Sequence, residues 1–396
     1  MAPISVAEAH DRLMALVGPV GVEEIPLAEA ATRVLARDVV AGRDQPPFDA
    51  SAMDGYACRL EDAVPGARLA LVGTAAAGLR HPGRVGPGEA VRIFTGAPVP
   101  DGADWILIQE EAEAANDRVA VTAPQTGAPS IRPAGGDFRQ GSRVAAPRRL
   151  APADLALLAA MNAGRVVVAR RPVVALIPTG DELVVPGEDP GPDQIVSSND
   201  VALKAMVEAA GGAARRLPVA RDRPESLAAS LALAACADLI VTIGGASVGD
   251  FDLVRATAER QGLAVDFHTV AMRPGKPLMA GRLGAVPLVG LPGNPVSALV
   301  TARIFLWPAI ERMLGLPGDP PAGHAARLAT AVRSNGPRAH YMRARVEPGD
   351  RGWTCTPLAR QDSSLLGVLA EANALLVRPP DEPMRDAGET ITFIWL

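Results

Sequence analysis

The stretch Leu239-Ile240-Val241-Thr242-Ile243-Gly244-Gly245-Ala246-Ser247-Val248-Gly249-Asp250-Phe251-Asp252 decides how the chain reads. Its first five residues are apolar or β-branched and make a buried strand over 239–243. Gly244 and Gly245 stop that strand, and a helical pattern follows over 253–261. Glycines after a strand let backbone amides approach an anion, and a helix N-terminus adds the same polarity. The spacing is not the GxGxxG dinucleotide fingerprint, and the chain has no GxxxxGK[ST] loop. Asp252 sits in the first turn of the helix. There it compensates the helix dipole or holds a metal on a phosphate.

The same alternation extends on both sides. Residues 173–177 and 286–291 read as strands, and 200–210, 224–235 and 296–314 as helices. This predicts an α/β domain over 172–318 with a mainly parallel sheet. Ligands of such sheets sit beyond the strand C-terminal ends, and the unusual residues lie in those loops. Asp181 and Glu182 in Pro178-Thr179-Gly180-Asp181-Glu182-Leu183 can bind a divalent cation through oxygen or cap the next helix. Met272-Arg273-Pro274-Gly275-Lys276-Pro277 sets two cations around a Pro-Gly turn, either as an oxyanion clamp or as a surface turn. In Gly290-Leu291-Pro292-Gly293-Asn294-Pro295-Val296-Ser297 a strand ends and a helix opens, so its first amides are a further anion site. Ser197 and Ser198 read as helix caps.

The flanks differ in character. Ser5 and Glu8 make a capping box for a helix over 1–16, and a second helix is expected over 27–36. A third, from Pro152 to Gly164 within 150–168, is expected to pack back on the first. These pieces give a split helical/linker domain, 1–45 plus 146–171. Residues 46–145 are dense in Gly and Pro, with β-like runs at 69–72, 90–94, 105–109 and 119–122, and read as a β-rich domain. Two motifs stand out in it, Asp49-Ala50-Ser51-Ala52-Met53-Asp54-Gly55-Tyr56-Ala57 and Arg92-Ile93-Phe94-Thr95-Gly96-Ala97. The linker-like run 318–323 opens a C-terminal β-domain, 319–396, with strands expected over 340–346 and 390–396.

Composition sets limits. The 396 residues carry a net charge of −5, which argues against a nucleic-acid partner. Cys58, Cys236 and Cys355 form no CxxC pair, the five histidines show no metal spacing, and no zinc site is expected. No apolar run reaches the ~20 residues of a membrane span, so the expected location is the cytoplasm. Only two of the 39 basic residues are lysines, Lys204 and Lys276, which makes Lys276 in its Gly-Pro loop notable as a compact point charge. Carboxylates beside anion sites make electrostatic sense when a cation lies between them and the phosphates. That points to a Mg²⁺-assisted reaction at a phosphoanhydride.

These motifs, in this order, resemble the molybdopterin molybdenumtransferase family, which includes the catalytic E-type domain of gephyrin. The resemblance implies an elongated homodimer of four-domain subunits whose α/β domain binds molybdopterin. The substrates it implies are adenylylated molybdopterin and molybdate. Molybdate goes to the dithiolene and AMP leaves, with Mg²⁺ as cofactor. Position by position, it carries over Asp54 and Thr95, Asp137 in Gly135-Gly136-Asp137, and the acidic set Glu182, Asp222 and Asp252, which would also hold the metal. Gly244, Gly245, Ser247, Pro292, Gly293, Asn294 and Ser297 would bind substrate. Arg273, Lys276, Arg343 and Ser363 would face oxyanions. Arg273 and Thr269 stand where relatives commonly carry lysine. The expected protein partners are a pterin adenylyltransferase that delivers the substrate and acceptor proteins that collect the cofactor. Two alternatives stay open: another enzyme on the same α/β fold, a pterin adenylyltransferase or a nucleotide amidohydrolase-like protein, and a scaffold role such as gephyrin has.

Overall fold

The computed structural model describes residues 2–244 and 251–396, with 251–253 in backbone only. The central unit is a six-stranded sheet in the order Ala213–Arg216, Val173–Pro178, Leu239–Ile243, Val286–Leu291, Pro277–Leu283, Leu263–Thr269. The first four strands are parallel. Pro277–Leu283 runs antiparallel to both its neighbours, so the sheet is mixed. The sequence reading missed the strands at 263–269 and 277–283. Val174, Leu176, Leu239, Val241 and Val289 pack one face of the sheet against helices Asn199–Ala210 and Pro295–Thr301. The other face meets Pro224–Leu233 and Phe251–Arg260 through Leu227, Leu231, Val254 and Ala258.

The expected long helix over 296–314 forms with a change of pitch. Ala302–Leu306 is a π turn between Pro295–Thr301 and Trp307–Met313. Pro308 has no N–H to donate and would clash with the carbonyl four residues back, and one inserted residue relieves both faults.

The first helix, Val6–Leu16, is capped by Ser5, whose Oγ accepts the Glu8 N–H at 3.1 Å. The Glu8 side chain pairs with Arg12 at 2.7 Å and does not complete the box. This helix does not meet the third one as expected. Ala9, Leu13 and Val17 enter the core of the α/β unit, beside Phe305 and Ile310. Helix Pro152–Ala160 instead covers a four-stranded sheet of Val22–Pro26, Arg165–Ala169, Val34–Leu35 and Arg148–Arg149. An apolar stripe marks a buried face but not its partner, so periodicity alone could not choose between them.

The second expected helix, 27–36, is absent. Leu27–Glu29 makes one 3₁₀ turn, Thr32 adopts φ 63°, and Val34–Leu35 pairs as a strand. The third stops at Ala160, and Val166, Val167 and Val168 form a strand against Val22–Pro26, where β-branched side chains fit better than in a helix.

All four runs predicted within 46–145 are strands of a second six-stranded sheet, which also contains Gly55–Cys58. That interior strand needs its glycine, because a Cβ on Gly55 would lie 2.1 Å from the Leu107 carbonyl oxygen. The C-terminal strands close on themselves like a barrel, since Ala339–Gly349 pairs with both Gly352–Pro357 and Ala374–Arg378. Met272–Arg273, from the α/β unit, adds to this sheet in parallel with Ala339 and His340. That seam carries the barrel to the rim of the central sheet.

Candidate functional site at the strand ends

A cavity of about 970 Å³ opens over the C-terminal ends of Val173–Pro178, Leu239–Ile243 and Val286–Leu291. Its floor is main chain. The Thr179 N–H donates to the Ile243 carbonyl at 2.9 Å and the Gly244 N–H to the Leu291 carbonyl at 3.1 Å. Gly244 sits at φ 105°, and a Cβ there would lie 2.7 Å from the Thr179 oxygen. A Cβ on Gly293 would lie 3.2 Å from the Gly244 Cα. Only glycine lets the three turns approach this closely. Pro292, Gly293, Asn294 and Ser297 all line the cavity. Gly245 and Ser247, expected at the same rim, lie outside the described residues, as does the side chain of Asp252.

One wall is acidic. Glu182 lines it, and a Cβ on Gly180 would come within 2.3 Å of the Glu182 Oε2, so the glycine leaves a cradle for the carboxylate. The adjoining loop carries Asp222, whose Oδ2 accepts the Asp181 N–H at 3.4 Å, while the Asp222 N–H donates to Asp181 Oδ1 at 3.3 Å. Among the described residues no three His, Cys, Asp or Glu side chains stand close enough to cage a metal. One or two carboxylates are the usual protein share for Mg²⁺, which keeps waters and takes its other ligands from phosphate.

The opposite wall is basic. Lys276 is exposed and lines the cavity. Its loop depends on Gly275, which sits at φ 100° and where a Cβ would meet the Thr301 Cγ2 at 2.3 Å. Arg255 and His268 also line this side. The sequence reading missed both, although Arg255 lies three residues past Asp252 on the same helix face. It also passed over Asn199, which lines the cavity and whose Nδ2 donates to the Gly293 carbonyl at 2.7 Å. Ser198 makes no side-chain cap, and the Ser197 Oγ donates to the buried Asp200 at 2.8 Å, so neither caps the helix through its hydroxyl as expected.

The cations continue from the cavity onto the barrel seam. Arg273 is exposed and in register with His340. Arg343, fully buried, gives Nη2 to the Arg360 carbonyl at 3.0 Å, while its Nε and Nη1 are buried with no hydrogen-bond partner. Burial holds the Arg343 guanidinium below its ordinary value, opposed by Asp362 and reinforced by Arg273. Burial, with Arg273, Arg378, Arg343 and Arg338 around it, pushes His340 down to about 4, so at neutral pH it adds no charge. Ser363 closes the seam. Its carbonyl accepts the Val296 N–H at 3.1 Å and its Oγ the Asn294 amide at 3.2 Å. That Val296 amide was expected to face an anion, and it is already engaged.

Asp54, Thr95 and Asp137 do not line the cavity. They lie on the β-rich unit. Asp54 Oδ1 accepts the Thr95 N–H at 2.7 Å and its Oγ1 at 2.8 Å, and these two bonds hold the carboxyl below its usual range. Asp137 is exposed, on a loop tied to 45–46 by its own N–H to the Gln45 carbonyl at 2.9 Å. Within a single chain the candidates therefore fall partly at the cavity and partly apart from it, on the β-rich unit.

A mixed α/β sheet with this strand-end cavity, hooked to a β-barrel, defines an α/β class of domain built to take a ligand at its strand ends. Residues 175–312 match the family model described as a probable molybdopterin binding domain. Residues 4–162 match the MoeA N-terminal region (domain I and II), and 325–396 the MoeA C-terminal region (domain IV). The chain belongs to the molybdopterin molybdenumtransferase family. It is 36% identical over 387 residues to the molybdopterin molybdenumtransferase of a Nostoc species, spanning 94% of this chain and 88% of that protein. It is 38% identical over 383 residues to molybdopterin molybdenumtransferase 2 of Mycobacterium tuberculosis, spanning 94% of each. Its fold is similar to the crystal structure of the molybdopterin biosynthesis MoeA protein from Pyrococcus horikoshii, with a TM-score of 0.84 at 31% identity over 99% of both chains. Among the described residues, no helix is long and apolar enough to cross a membrane.

Proposed function

We propose that this protein is a molybdopterin molybdenumtransferase that takes adenylylated molybdopterin and molybdate and releases AMP as the cofactor forms. The observation that carries this reading is one cavity with a carboxylate wall at Glu182 and a cation wall at Lys276, continued by the guanidinium of Arg343, whose Nε and Nη1 have no hydrogen-bond partner. A planar heterocycle bearing phosphates fits a cavity of about 970 Å³ floored by backbone. Molybdate, a tetrahedral dianion, suits the band formed by Lys276, Arg273 and Arg343, with Ser363 beside it.

Glu182 and Asp222 are the described residues that would hold Mg²⁺, with Asp252 as a further carboxylate by family resemblance. When bound, the ion supplies charge neutralisation at the phosphoanhydride between pterin and AMP. The chain's own residues bring two mutually repelling anions together, because basic side chains flank one and the metal carboxylates face the other.

The split between the Asp54 group and the cavity is best accommodated in a homodimer, where the β-rich unit of one protomer faces the cavity of its partner. A pterin adenylyltransferase would deliver the substrate and apo-molybdoenzymes would collect the product.

The test is to incubate purified protein with adenylylated molybdopterin, molybdate and Mg²⁺, and follow AMP by chromatography and cofactor by reconstitution of an apo-molybdoenzyme. Both products should require molybdate. AMP transfer from ATP to molybdopterin without molybdate would favour the adenylyltransferase alternative. Mixing Asp54→Lys and Glu182→Gln protomers, each inactive alone, should restore up to about a quarter of the sites if the site spans two chains. No recovery in heterodimers verified by mass would remove the shared site.

A further inference from the structure

The loop carrying Glu182 has each of its four carbonyls engaged. The Arg221 Nη1 approaches three of them: Gly180 at 3.4 Å, Asp181 at 2.9 Å and Leu183 at 3.2 Å. The fourth, on Glu182 itself, accepts the Ile195 N–H at 2.8 Å. Arg221 is in turn fixed by its own N–H on the Ser226 Oγ at 2.9 Å. Its neighbour Asp222 exchanges backbone-to-carboxylate bonds with Asp181. The Gly180 N–H adds a bond to the Ala220 carbonyl at 3.0 Å. Two loops from different strand ends are thereby locked, and each carries one candidate metal carboxylate. A guanidinium set among backbone carbonyls balances their negative ends, a role that an uncharged side chain does not fill.

We propose that Arg221 is a positioning residue that holds the Glu182 and Asp222 loops as one rigid unit, so that both carboxylates meet the same divalent cation. This rests on the divalent-cation reading given above. Arg221 touches neither substrate nor metal in this account. It acts by fixing the backbone beneath the ligands, as residues behind metal ligands generally do.

The experiment uses Mn²⁺ as the probe, titrated into the full-length protein and followed by the electron paramagnetic resonance of the free ion. Wild type, Glu182→Gln, Arg221→Gln and Arg221→Lys are compared. Molybdate affinity, by calorimetry, serves as the internal reference. Arg221→Gln should weaken Mn²⁺ by about 10–100-fold, with Arg221→Lys in between. Molybdate affinity should stay within about twofold, since its cations lie on the other wall. A residue that only braced the fold would lower the melting temperature without separating the two affinities. Wild-type Mn²⁺ affinity in Arg221→Gln overturns the proposal. If that variant does not fold, unchanged Mn²⁺ affinity in Arg221→Lys overturns it equally. Equal affinities in wild type and Glu182→Gln would instead remove the divalent-cation reading, and this inference with it.

Discussion

Arg343 is fully buried, yet two of its nitrogens have no partner. An unpaired buried polar group costs about 1–3 kcal/mol, so the fold tolerates a loss that an oxyanion would recover. Arg343→Met keeps the volume and removes the unpaired charge. It should leave the melting temperature unchanged or raised, while weakening molybdate by at least about tenfold. Calorimetric titration and thermal denaturation of the same sample check both halves, and a sharp drop in stability would count against the anion role. The cysteines give a second prediction. Burial pushes Cys58 up to about 12 and Cys355 up to about 11, whereas Cys236 is exposed. The native protein at pH 8 should therefore take up one equivalent of an alkylating reagent, at Cys236, and three only after unfolding, as counted by intact mass.

The strand-end turns of the α/β sheet work as one element, because they touch through backbone. Gly244 has a left-handed φ and a Cβ there would be blocked by Thr179. Gly244→Ala should cost about 1–2 kcal/mol for the backbone conformation alone, and more from the clash. It should also weaken AMP binding, because the cavity floor must shift. Unfolding in urea and calorimetry with AMP measure the two effects, and wild-type values in both would mean that the turn has slack. The Pro-Gly-Lys loop obeys the same rule through Gly275 and Thr301. At this scale glycine positions read from the sequence as anion loops are first of all packing positions.

Across the whole molecule, Arg170 joins the small four-stranded sheet to the N-terminal ends of two interior strands of the central one. It makes two bonds with Asp238, at 2.6 and 2.5 Å, and Asp238 also accepts the Val173 N–H at 2.7 Å. These bonds, Arg170 first, hold the Asp238 carboxyl below its ordinary 3.8. A lowered folded value means that the stabilisation is complete above the unfolded value and is lost as pH falls through the folded one. Wild type should therefore exceed Asp238→Asn by about 1 kcal/mol at neutral pH, discounted for partial exposure. That gap should stay constant down to about pH 5 and close progressively below it. Urea unfolding at pH 7, 5 and 3 tests this, and a gap that widened on acidification would contradict it.

The sequence by itself determined the α/β unit, the β-rich strands and most of the loops that line the cavity. These follow from local periodicity and from Gly and Pro at strand ends, which act over a few residues. It determined Glu182, Pro292, Gly293, Asn294 and Ser297 as neighbours, because parallel strands bring their C-terminal ends to one rim, whereas Lys276 joins them from the start of an antiparallel strand. Only the tertiary structure decided that the first helix joins the α/β core, that residues 27–36 pair as turn and strand, and that Asn199, Arg255 and His268 line the cavity. It also decided that Asp54, Thr95 and Asp137 stand apart from that cavity, and that Arg221 bonds the carbonyls on either side of Glu182. Each of these depends on contacts between segments tens to hundreds of residues apart. An apolar stripe or a charged side chain marks a surface that must be satisfied, and long-range packing selects its partner.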